Sequence, residues 1–228
     1  MRKSTSIKKN VLKTKAVLLD LDGTLTDPKE GITRCIAHAL ERMGVKAPPL
    51  EELTFAIGPP LRPSLARLIG SDDRDDVEAA LAAYRERFSA VGLFENAVYE
   101  GIPAALAELR DRGHALYLAT SKPRVYAERI LAHFGLTSRF SDIYGCELDG
   151  RMERKDEIIG HILAAHQIQP GDAVMIGDRS HDVLGARTNQ VAALGVTWGY
   201  GTRDELTQAG AFALCDQPAE LPGLASLR

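Results

Sequence analysis

The chain has 228 residues, 45% of them hydrophobic and 26% charged, which is typical of a globular protein with one domain and an insertion. Its formal net charge is −3 and no apolar run is long enough to span a bilayer, so we expect neither a nucleic acid nor a membrane as a partner. The three cysteines are widely scattered, which indicates neither a disulfide framework nor a zinc site and favours a cytoplasmic location.

The beginning of the chain is rich in lysine and arginine. It contains no apolar segment of the kind found in a secretory signal. We therefore expect residues 1–14 to form a flexible, basic arm.

The most informative segment follows this arm, where an apolar run ends in two carboxylates, Asp20 and Asp22. In a strand of period two, both side chains leave the backbone on the same side, and Leu21 between them points into the core. Gly23 then allows a sharp turn. Two acids held this close repel each other unless a cation lies between them, and Mg²⁺ prefers such oxygen ligands. The segment therefore predicts a strand end that binds a hard metal ion.

Residues 29–98 have a different pattern, in which apolar positions recur every three or four residues. This spacing predicts helices at 32–43, 63–69 and 75–91, without a strong strand candidate. The acidic run at 71–76 is expected to begin the third helix, since carboxylates favour the positive end of the helix dipole. We expect this stretch to be a helical insert.

The remainder of the chain alternates between strand-like and helix-like segments. Strands are predicted at 115–119, 140–145, 173–176 and 192–197, and helices at 102–111, 124–134, 156–166 and 183–187. This alternation predicts an α/β fold with a doubly wound parallel sheet, made of residues 15–28 and 99–228. Right-handed crossovers would bring the polar residues that follow each strand to one edge of the sheet.

Three further segments place polar residues at that edge. Thr120 and Ser121 follow a predicted strand and offer hydroxyl and amide donors to an anion. Lys155 begins a helix, where its charge could offset the carboxylates and hold phosphoryl oxygens. Asp178 and Asp182 follow another strand and face the same way on a helical turn, so that with Asp20 they could supply oxygen ligands for Mg²⁺.

Taken in this order, the segments resemble the four motifs of the haloacid dehalogenase superfamily, in its phosphatase branch. The helical insert is similar to the small α-helical cap of that superfamily, and we call residues 29–98 the cap. The resemblance implies that Asp20 is a nucleophile that attacks phosphorus and that Asp22 is a general acid and base. It also implies that the Thr120 hydroxyl and the Ser121 amide bind the phosphate.

The remaining roles implied by the resemblance concern the metal and the phosphate clamp. Asp178 would bind Mg²⁺ together with the Asp20 carboxylate and the backbone carbonyl of Asp22, with Asp182 as a further ligand or an outer partner. Lys155 would clamp the phosphate. Prolines often follow this lysine in the family but are absent here, which leaves Arg154 open as an alternative.

The cap contains one loop that resembles a loop of the phosphoglycolate-phosphatase-like group of the superfamily. Residues 58–61, beginning with Gly58 and Pro59, have the sequence Gly-Pro-Pro-Leu, which is similar to a loop that recurs in this group. These residues make a stiff bend that could close over the active site, and Arg62 could meet a negative group of the substrate. Gly58, Pro59 and Arg62 are therefore candidate specificity residues.

The resulting hypothesis is a Mg²⁺-dependent phosphomonoester hydrolase that forms an aspartyl phosphate and acts on a small phosphorylated metabolite such as phosphoglycolate. A 5′-nucleotidase and a phosphosugar mutase remain alternatives within the superfamily. A 2-haloacid dehalogenase would need neither Asp22 nor a metal, and a phospho-acceptor signalling module would be about half as long and would lack the cap. The sequence does not decide between a monomer and a homodimer.

Overall fold

The structure is a computed structural model that describes residues 15–226, so the expected basic arm at 1–14 lies outside the described residues. The helices and strands are, in chain order, β1 Ala16–Leu19, β2 Thr26–Asp27, α1 Lys29–Arg42, α2 Leu61–Ile69, α3 Arg74–Arg87, β3 Ala97–Val98, α4 Ile102–Asp111, β4 Ala115–Pro123, α5 Arg124–His133, β5 Asp142–Cys146, α6 Lys155–Ala165, β6 Ala173–Gly177, α7 Ser180–Thr188, β7 Ala192–Val196, α8 Arg203–Ala209, β8 Ala213–Cys215 and α9 Leu221–Ala225.

Six of the strands form a parallel sheet in the order β5-β4-β1-β6-β7-β8. The strand order reverses at β1, which lies between β4 and β6, and this is the position where open α/β sheets bind their ligands. Helices α6, α7 and α8 pack on one face, while α4, α5 and α9 pack on the other. The predicted doubly wound α/β sheet is thus confirmed.

Strand β1 shows why this sequence forms a central strand. Val17 and Leu19 belong to the hydrophobic cluster on one face, whereas Ala16 and Leu18 belong to the cluster on the other. All four side chains are buried, as expected for a parallel strand covered on both sides. Leu21 beyond them is also fully buried, which agrees with its predicted orientation into the core.

Each element predicted in the core is present in the structure with its predicted type. The helix predicted at 102–111 is α4, and the acidic run begins α3, because the Asp73 side chain accepts hydrogen bonds from the amides of Asp75 and Asp76. The strand predicted at 115–119 is longer than expected, since β4 continues to Pro123 through a register shift after Thr120. Helices α8 and α9 and strand β8 were not predicted, and neither were the short strands β2 and β3.

Helices α1, α2 and α3 all lie within residues 29–98, and the strands of the large sheet lie outside this range. The short antiparallel pair β2 and β3 holds together the two chain segments that enter and leave the cap. Apolar residues of α1 and α3 share a hydrophobic cluster with α4 and α5, so the cap packs directly on the core. None of the helices between residues 15 and 226 has the length and apolar character needed to traverse a bilayer.

Candidate active site

The candidate site begins at the carboxyl end of β1, where Asp20 and Asp22 are both buried. The amide of Asp20 donates a hydrogen bond of 3.0 Å to the Ile176 carbonyl, which extends the pairing of β1 with β6 past the end of the strand. Gly23 then turns the chain with a φ of +84°. A Cβ atom at Gly23 would overlap the carboxylate of Asp178, so this position requires glycine for space as well as for conformation.

Lys155 at the start of α6 connects two of the carboxylates. Its Nζ lies 2.7 Å from Asp20 Oδ1 and 2.6 Å from Asp182 Oδ1, and it donates to the Ala119 carbonyl at 2.8 Å. The neighbouring Arg154 has a side chain that is 70% exposed and pairs with Asp156 on the surface. The structure therefore places Lys155, and not Arg154, among the residues of the site.

Asp178 lies in the loop between β6 and α7, and Asp182 lies in the first turn of α7. Asp178 Oδ2 accepts a hydrogen bond of 2.7 Å from the Tyr200 amide, and its Oδ1 accepts a longer one, 3.4 Å, from the Thr24 hydroxyl. Asp182 Oδ2 accepts from the Arg179 amide at 3.1 Å. These backbone and hydroxyl donors fix the direction in which each carboxylate faces Asp20.

Burial and like charge raise the pKa values of carboxyl groups in this cluster. Burial is the main cause of the raised pKa of Asp178, and the charges of Asp182 and Asp20 add to it. Burial also raises the pKa of Asp182, and Lys155 offsets only part of this effect. Burial alone would lower the pKa of Lys155, but the facing Asp182 and Asp20 carboxylates raise it above its ordinary value. Crowded carboxylates of this kind are stabilised in their charged form by a bound cation.

The donor set fits a hard divalent metal ion. One ligand atom each from Asp20, Asp178 and Asp182 can be chosen so that all three lie within 4.8 Å of one another, and the three residues are buried. Within residues 15–226, Lys155 is the one residue that forms ion pairs with this cluster, so when all three carboxylates are ionised a net charge of two negatives is left for a cation to balance. The Asp22 carboxylate lies outside the cluster, which is consistent with a contribution through its backbone carbonyl only.

The predicted phosphate-binding residues lie beside this cluster. Thr120 is buried at the end of the regular part of β4, and its hydroxyl oxygen accepts a hydrogen bond of 3.2 Å from the Lys122 amide. This hydroxyl can still donate its own proton to an anion. Ser121 is half-buried and lines the same cleft as Asp20 and Asp22.

Sequence reasoning missed one residue of the site, Lys122. Its ammonium lies 2.9 Å from Asp22 Oδ2, and the whole residue is only 8% exposed. Burial raises the pKa of Asp22, and the charge of Lys122 opposes this rise. The sequence does show a lysine two positions after Thr120. Because the register of β4 shifts after Thr120, strand periodicity does not predict the direction of this side chain.

The cap loop lies over the cleft and is attached to the core. Gly58 has a φ of +99°, and Gly58, Pro59 and Arg62 all line the cleft, as the specificity hypothesis requires of them. The Arg62 guanidinium is already paired with Glu78 of the cap at 2.6 Å. Facing the loop, Arg179 donates a hydrogen bond of 2.8 Å to the Ile57 carbonyl, a contact that sequence reasoning did not anticipate.

The cleft itself has an apolar wall next to the charged strand end. Tyr84 and Phe88 of the cap stack at 5.1 Å between ring centroids, and Tyr126 of α5 meets Phe88 edge-on at 5.4 Å. Ile32 and Leu81 of the cap complete this wall. A substrate with a phosphate and an apolar or aromatic part would therefore find both environments in one cleft.

Comparison with known proteins places this geometry in a family. The sequence model of the haloacid dehalogenase-like hydrolases matches residues 17–196. A 5′-nucleotidase of Pseudomonas aeruginosa is 50% identical over 190 residues, which cover 83% of this chain and 86% of that protein. The tyrosine-protein kinase PtkA of Mycobacterium tuberculosis is 42% identical over 188 residues, which cover 82% of this chain and 64% of that protein. A phosphoglycolate phosphatase of Cupriavidus necator is 29% identical over 212 residues and 92% of each chain.

Solved structures lead to the same family. The crystal structure of a predicted phosphatase from Clostridium acetobutylicum superimposes with a TM-score of 0.89 at 40% sequence identity, covering 93% of this chain and 98% of that one. The family match spans all four motifs and the whole of the cap. The chain accordingly belongs to the haloacid dehalogenase-like hydrolases, and it is an enzyme with phosphatases among its relatives.

Proposed function

We propose that this enzyme is a Mg²⁺-dependent phosphomonoester hydrolase that forms an aspartyl phosphate on Asp20. The observation that supports this most directly is the convergence of Asp20, Lys155, Asp178 and Asp182 at the end of β1, all of them buried. A nucleophilic carboxylate, a fixed cation and a set of hard oxygen ligands are the parts that phosphoryl transfer requires.

The proposed metal site is made of Asp20, Asp178 and Asp182, with the backbone carbonyl of Asp22. A bound Mg²⁺ would neutralise charge on the phosphoryl oxygens as the reaction proceeds. Lys155 supplies a second, permanent positive charge at the same place. Because these groups are buried, their interactions with the phosphoryl group are stronger than they would be in water.

In the first half of the reaction, Thr120, the Ser121 amide and Lys155 hold the phosphoryl group in line with Asp20. A carboxylate oxygen of Asp20 forms a bond to phosphorus as the bond between phosphorus and the leaving oxygen breaks. Asp22 gives its proton to that leaving oxygen. The alcohol departs, and the phosphoryl group remains on Asp20.

In the second half, Asp22 is a carboxylate and accepts a proton from a water molecule. The oxygen of this water bonds to phosphorus, the acyl phosphate bond to Asp20 breaks, and inorganic phosphate is released. The cap covers the cleft, so its closure would exclude bulk water from the first half and its opening would release the product.

As the substrate class we propose nucleoside 5′-monophosphates ahead of phosphoglycolate. The wall of Tyr84, Phe88 and Tyr126 gives one side of the cleft an aromatic lining against which a nucleobase can pack. Arg62, the expected partner of a second anionic group, is already neutralised by Glu78. The 5′-nucleotidase relative at 50% identity supports this order, compared with 29% for the phosphoglycolate phosphatase.

The first experiment measures release of p-nitrophenol and inorganic phosphate from p-nitrophenyl phosphate. We expect activity with Mg²⁺, none in excess chelator, and full recovery when Mg²⁺ is added back. Activity that persists in chelator would contradict the proposed metal dependence. Release of free phosphate, rather than phosphate transfer within a sugar, also separates a hydrolase from the phosphosugar mutase alternative.

The second experiment ranks kcat/KM over a panel of nucleoside 5′-monophosphates, phosphoglycolate and sugar phosphates at one Mg²⁺ concentration. We expect the nucleotides to rank first. A clear preference for phosphoglycolate would reverse our order and restore Arg62 as its carboxylate partner. We also propose that the enzyme acts in the cytoplasm, because Cys35, Cys146 and Cys215 are all free thiols.

A further inference from the structure

Lys122 occupies a position that the proposed mechanism does not yet use. Its side chain is 5% exposed, and that of Asp22 is 9% exposed, so their ion pair of 2.9 Å is shielded from water. The pair is formed by Asp22 Oδ2. A lysine is rarely buried unless a partner offsets the cost of desolvating its charge, and here the Asp22 carboxylate is that partner.

The second carboxylate oxygen of Asp22 differs from the first in its contacts. Asp22 Oδ1 is buried and has no hydrogen-bond partner within residues 15–226. Lys122 thus holds one carboxylate oxygen and fixes the rotation of the group, while the other oxygen is free to exchange a proton. Both Asp22 and Lys122 line the cleft in which the substrate would bind.

The ammonium of Lys122 also contacts the cap. Its Nζ lies 4.4 Å from the centroid of the Phe88 ring, a distance typical of a cation–π contact. Phe88 follows helix α3 of the cap, whereas Lys122 and Asp22 belong to the core. The ring is itself held between Tyr84 of the cap and Tyr126 of the core.

From this geometry we propose that Lys122 is a positioning residue that orients Asp22 for proton transfer, and that Phe88 makes this orientation depend on closure of the cap. The inference rests on the proposed role of Asp22. Asp22 Oδ1 gives its proton to the leaving oxygen and later takes one from water, while Oδ2 remains bound to Lys122. With the cap open, the ammonium loses the Phe88 ring and the protection from water that keeps the pair rigid.

The test compares two substrates that differ in their need for a general acid. A nucleoside 5′-monophosphate releases a primary alcohol, whose oxygen must be protonated as it leaves. The p-nitrophenolate anion is a stable leaving group and needs no proton. Because kcat/KM reports the steps up to phosphorylation of Asp20, we expect Lys122→Met to lower it about 100-fold on the nucleotide and only a few-fold on p-nitrophenyl phosphate.

The second half of the reaction supplies another readout. Activation of water requires Asp22 whichever substrate formed the aspartyl phosphate. On p-nitrophenyl phosphate, Lys122→Met should therefore show a rapid burst of p-nitrophenol equal to the enzyme concentration, followed by a slow steady state. Lys46→Met, the same change at an exposed position of the cap, is the matched control and should behave as the wild type.

A double-mutant cycle decides whether Lys122 acts through Asp22. In an Asp22→Asn background, Lys122→Met should cause little further loss on the nucleotide, since the group that it positions has been removed. Phe88→Leu keeps the charged pair and removes the ring, so it remains informative even if Lys122→Met folds poorly. We expect Phe88→Leu to lower kcat/KM on the nucleotide roughly two- to fivefold, with a smaller effect on p-nitrophenyl phosphate.

Equal losses of kcat/KM on the two substrates would overturn the inference and indicate that Lys122 binds the phosphate directly. Additive effects of Asp22→Asn and Lys122→Met would overturn it as well, as would an unchanged nucleotide rate in both Lys122→Met and Phe88→Leu. These results are separable from failure of the proposed function. If the wild-type enzyme hydrolyses neither substrate with Mg²⁺, or if Asp20→Asn is fully active, it is the mechanism itself that is wrong.

Discussion

Replacing Asp178 with asparagine should stabilise the metal-free enzyme while strongly weakening its response to Mg²⁺. The change removes one negative charge from a buried cluster but preserves the shape of the side chain. The carbonyl oxygen of the new side chain can accept a hydrogen bond from the Tyr200 amide, as Asp178 does at 2.7 Å, and its amide group can donate to the Thr24 hydroxyl oxygen. No hydrogen bond need be lost, so the effect of charge is isolated.

The magnitude follows from the geometry of the cluster. The ligand atoms of Asp20, Asp178 and Asp182 lie within 4.8 Å of one another. At an effective dielectric constant of about 20, two unit charges at such a separation repel by roughly 3.5 kcal/mol. Asp178 can escape this repulsion by binding a proton, which costs at most about 4 kcal/mol at neutral pH for a group of ordinary pKa. Lys155 pairs with the other two carboxylates, so Asp178 has the most to gain.

We therefore expect Asp178→Asn to raise the free energy of unfolding of the metal-free enzyme by about 1–4 kcal/mol, or its Tm by roughly 2–15 °C. The assay is thermal unfolding in chelator and then across a Mg²⁺ titration. The wild-type enzyme should gain about 2.7 kcal/mol once Mg²⁺ reaches one hundred times its Kd, and the variant should gain little. Turnover by the variant should require far more Mg²⁺.

The control is Asp72→Asn, the same substitution at an exposed position of the cap, which should change neither the Tm nor the Mg²⁺ response. A metal-free Asp178→Asn protein that is less stable than the wild type would refute the electrostatic reasoning. A variant that Mg²⁺ stabilises as much as the wild type would refute the assignment of Asp178 to the metal site.

Three other variants test separate parts of the site. Asp20→Asn should lose all turnover yet keep the fold, because the amide is near-isosteric but cannot attack phosphorus; activity like that of the wild type in a clean preparation would exclude the aspartyl phosphate. Arg62→Ala should lower kcat/KM for phosphoglycolate by about 10- to 150-fold if Arg62 binds its carboxylate, and should change p-nitrophenyl phosphate hydrolysis far less; equal losses would assign Arg62 to the fold or the chemistry. Arg179→Met removes the hydrogen bond to Ile57 that holds the cap loop, together with the ion pair of 3.1 Å to Glu205, so it should lower kcat/KM on the nucleotide about two- to tenfold. Its matched control is Arg187→Met at an exposed position. An equal loss of kcat/KM in both variants would contradict a role for the hydrogen bond between Arg179 and Ile57.

Much of the site could be predicted because several of its residues come immediately after predicted strands in the sequence. A residue at a strand end is placed by the strand, and the parallel sheet puts all strand ends at one edge. Asp20, Thr120 and Asp178 were located in this way, and the structure brings them together around β1. Lys155 was found because it begins a helix whose preceding strand ends at the same edge. The chain order of these residues and the parallel topology carry this information without any tertiary contact.

Contacts made by long side chains across loops could not be predicted in the same way. Lys122 reaches Asp22 because β4 continues irregularly past Thr120, and no periodicity applies there. Arg179 meets the Ile57 carbonyl across 122 positions of sequence, and Tyr200 binds both Asp178 and Asp27 from the loop after β7. Each of these contacts depends on how distant segments are oriented in the fold, which local propensity does not specify.

The cap shows the same division between local and long-range information. Its helices were predicted from three- and four-residue spacing, since an amphipathic helix carries its pattern within itself. The pairing of Arg62 with Glu78, the stacking of Phe88 on Tyr84 and its edge-on contact with Tyr126 depend on which faces meet. The sequence alone therefore determined which polar residues meet at the end of β1 and the succession of elements, because short-range patterns specify both. The tertiary structure alone decided how the cations and carboxylates of the site are paired and what the cleft can accommodate, because these depend on packing between distant segments.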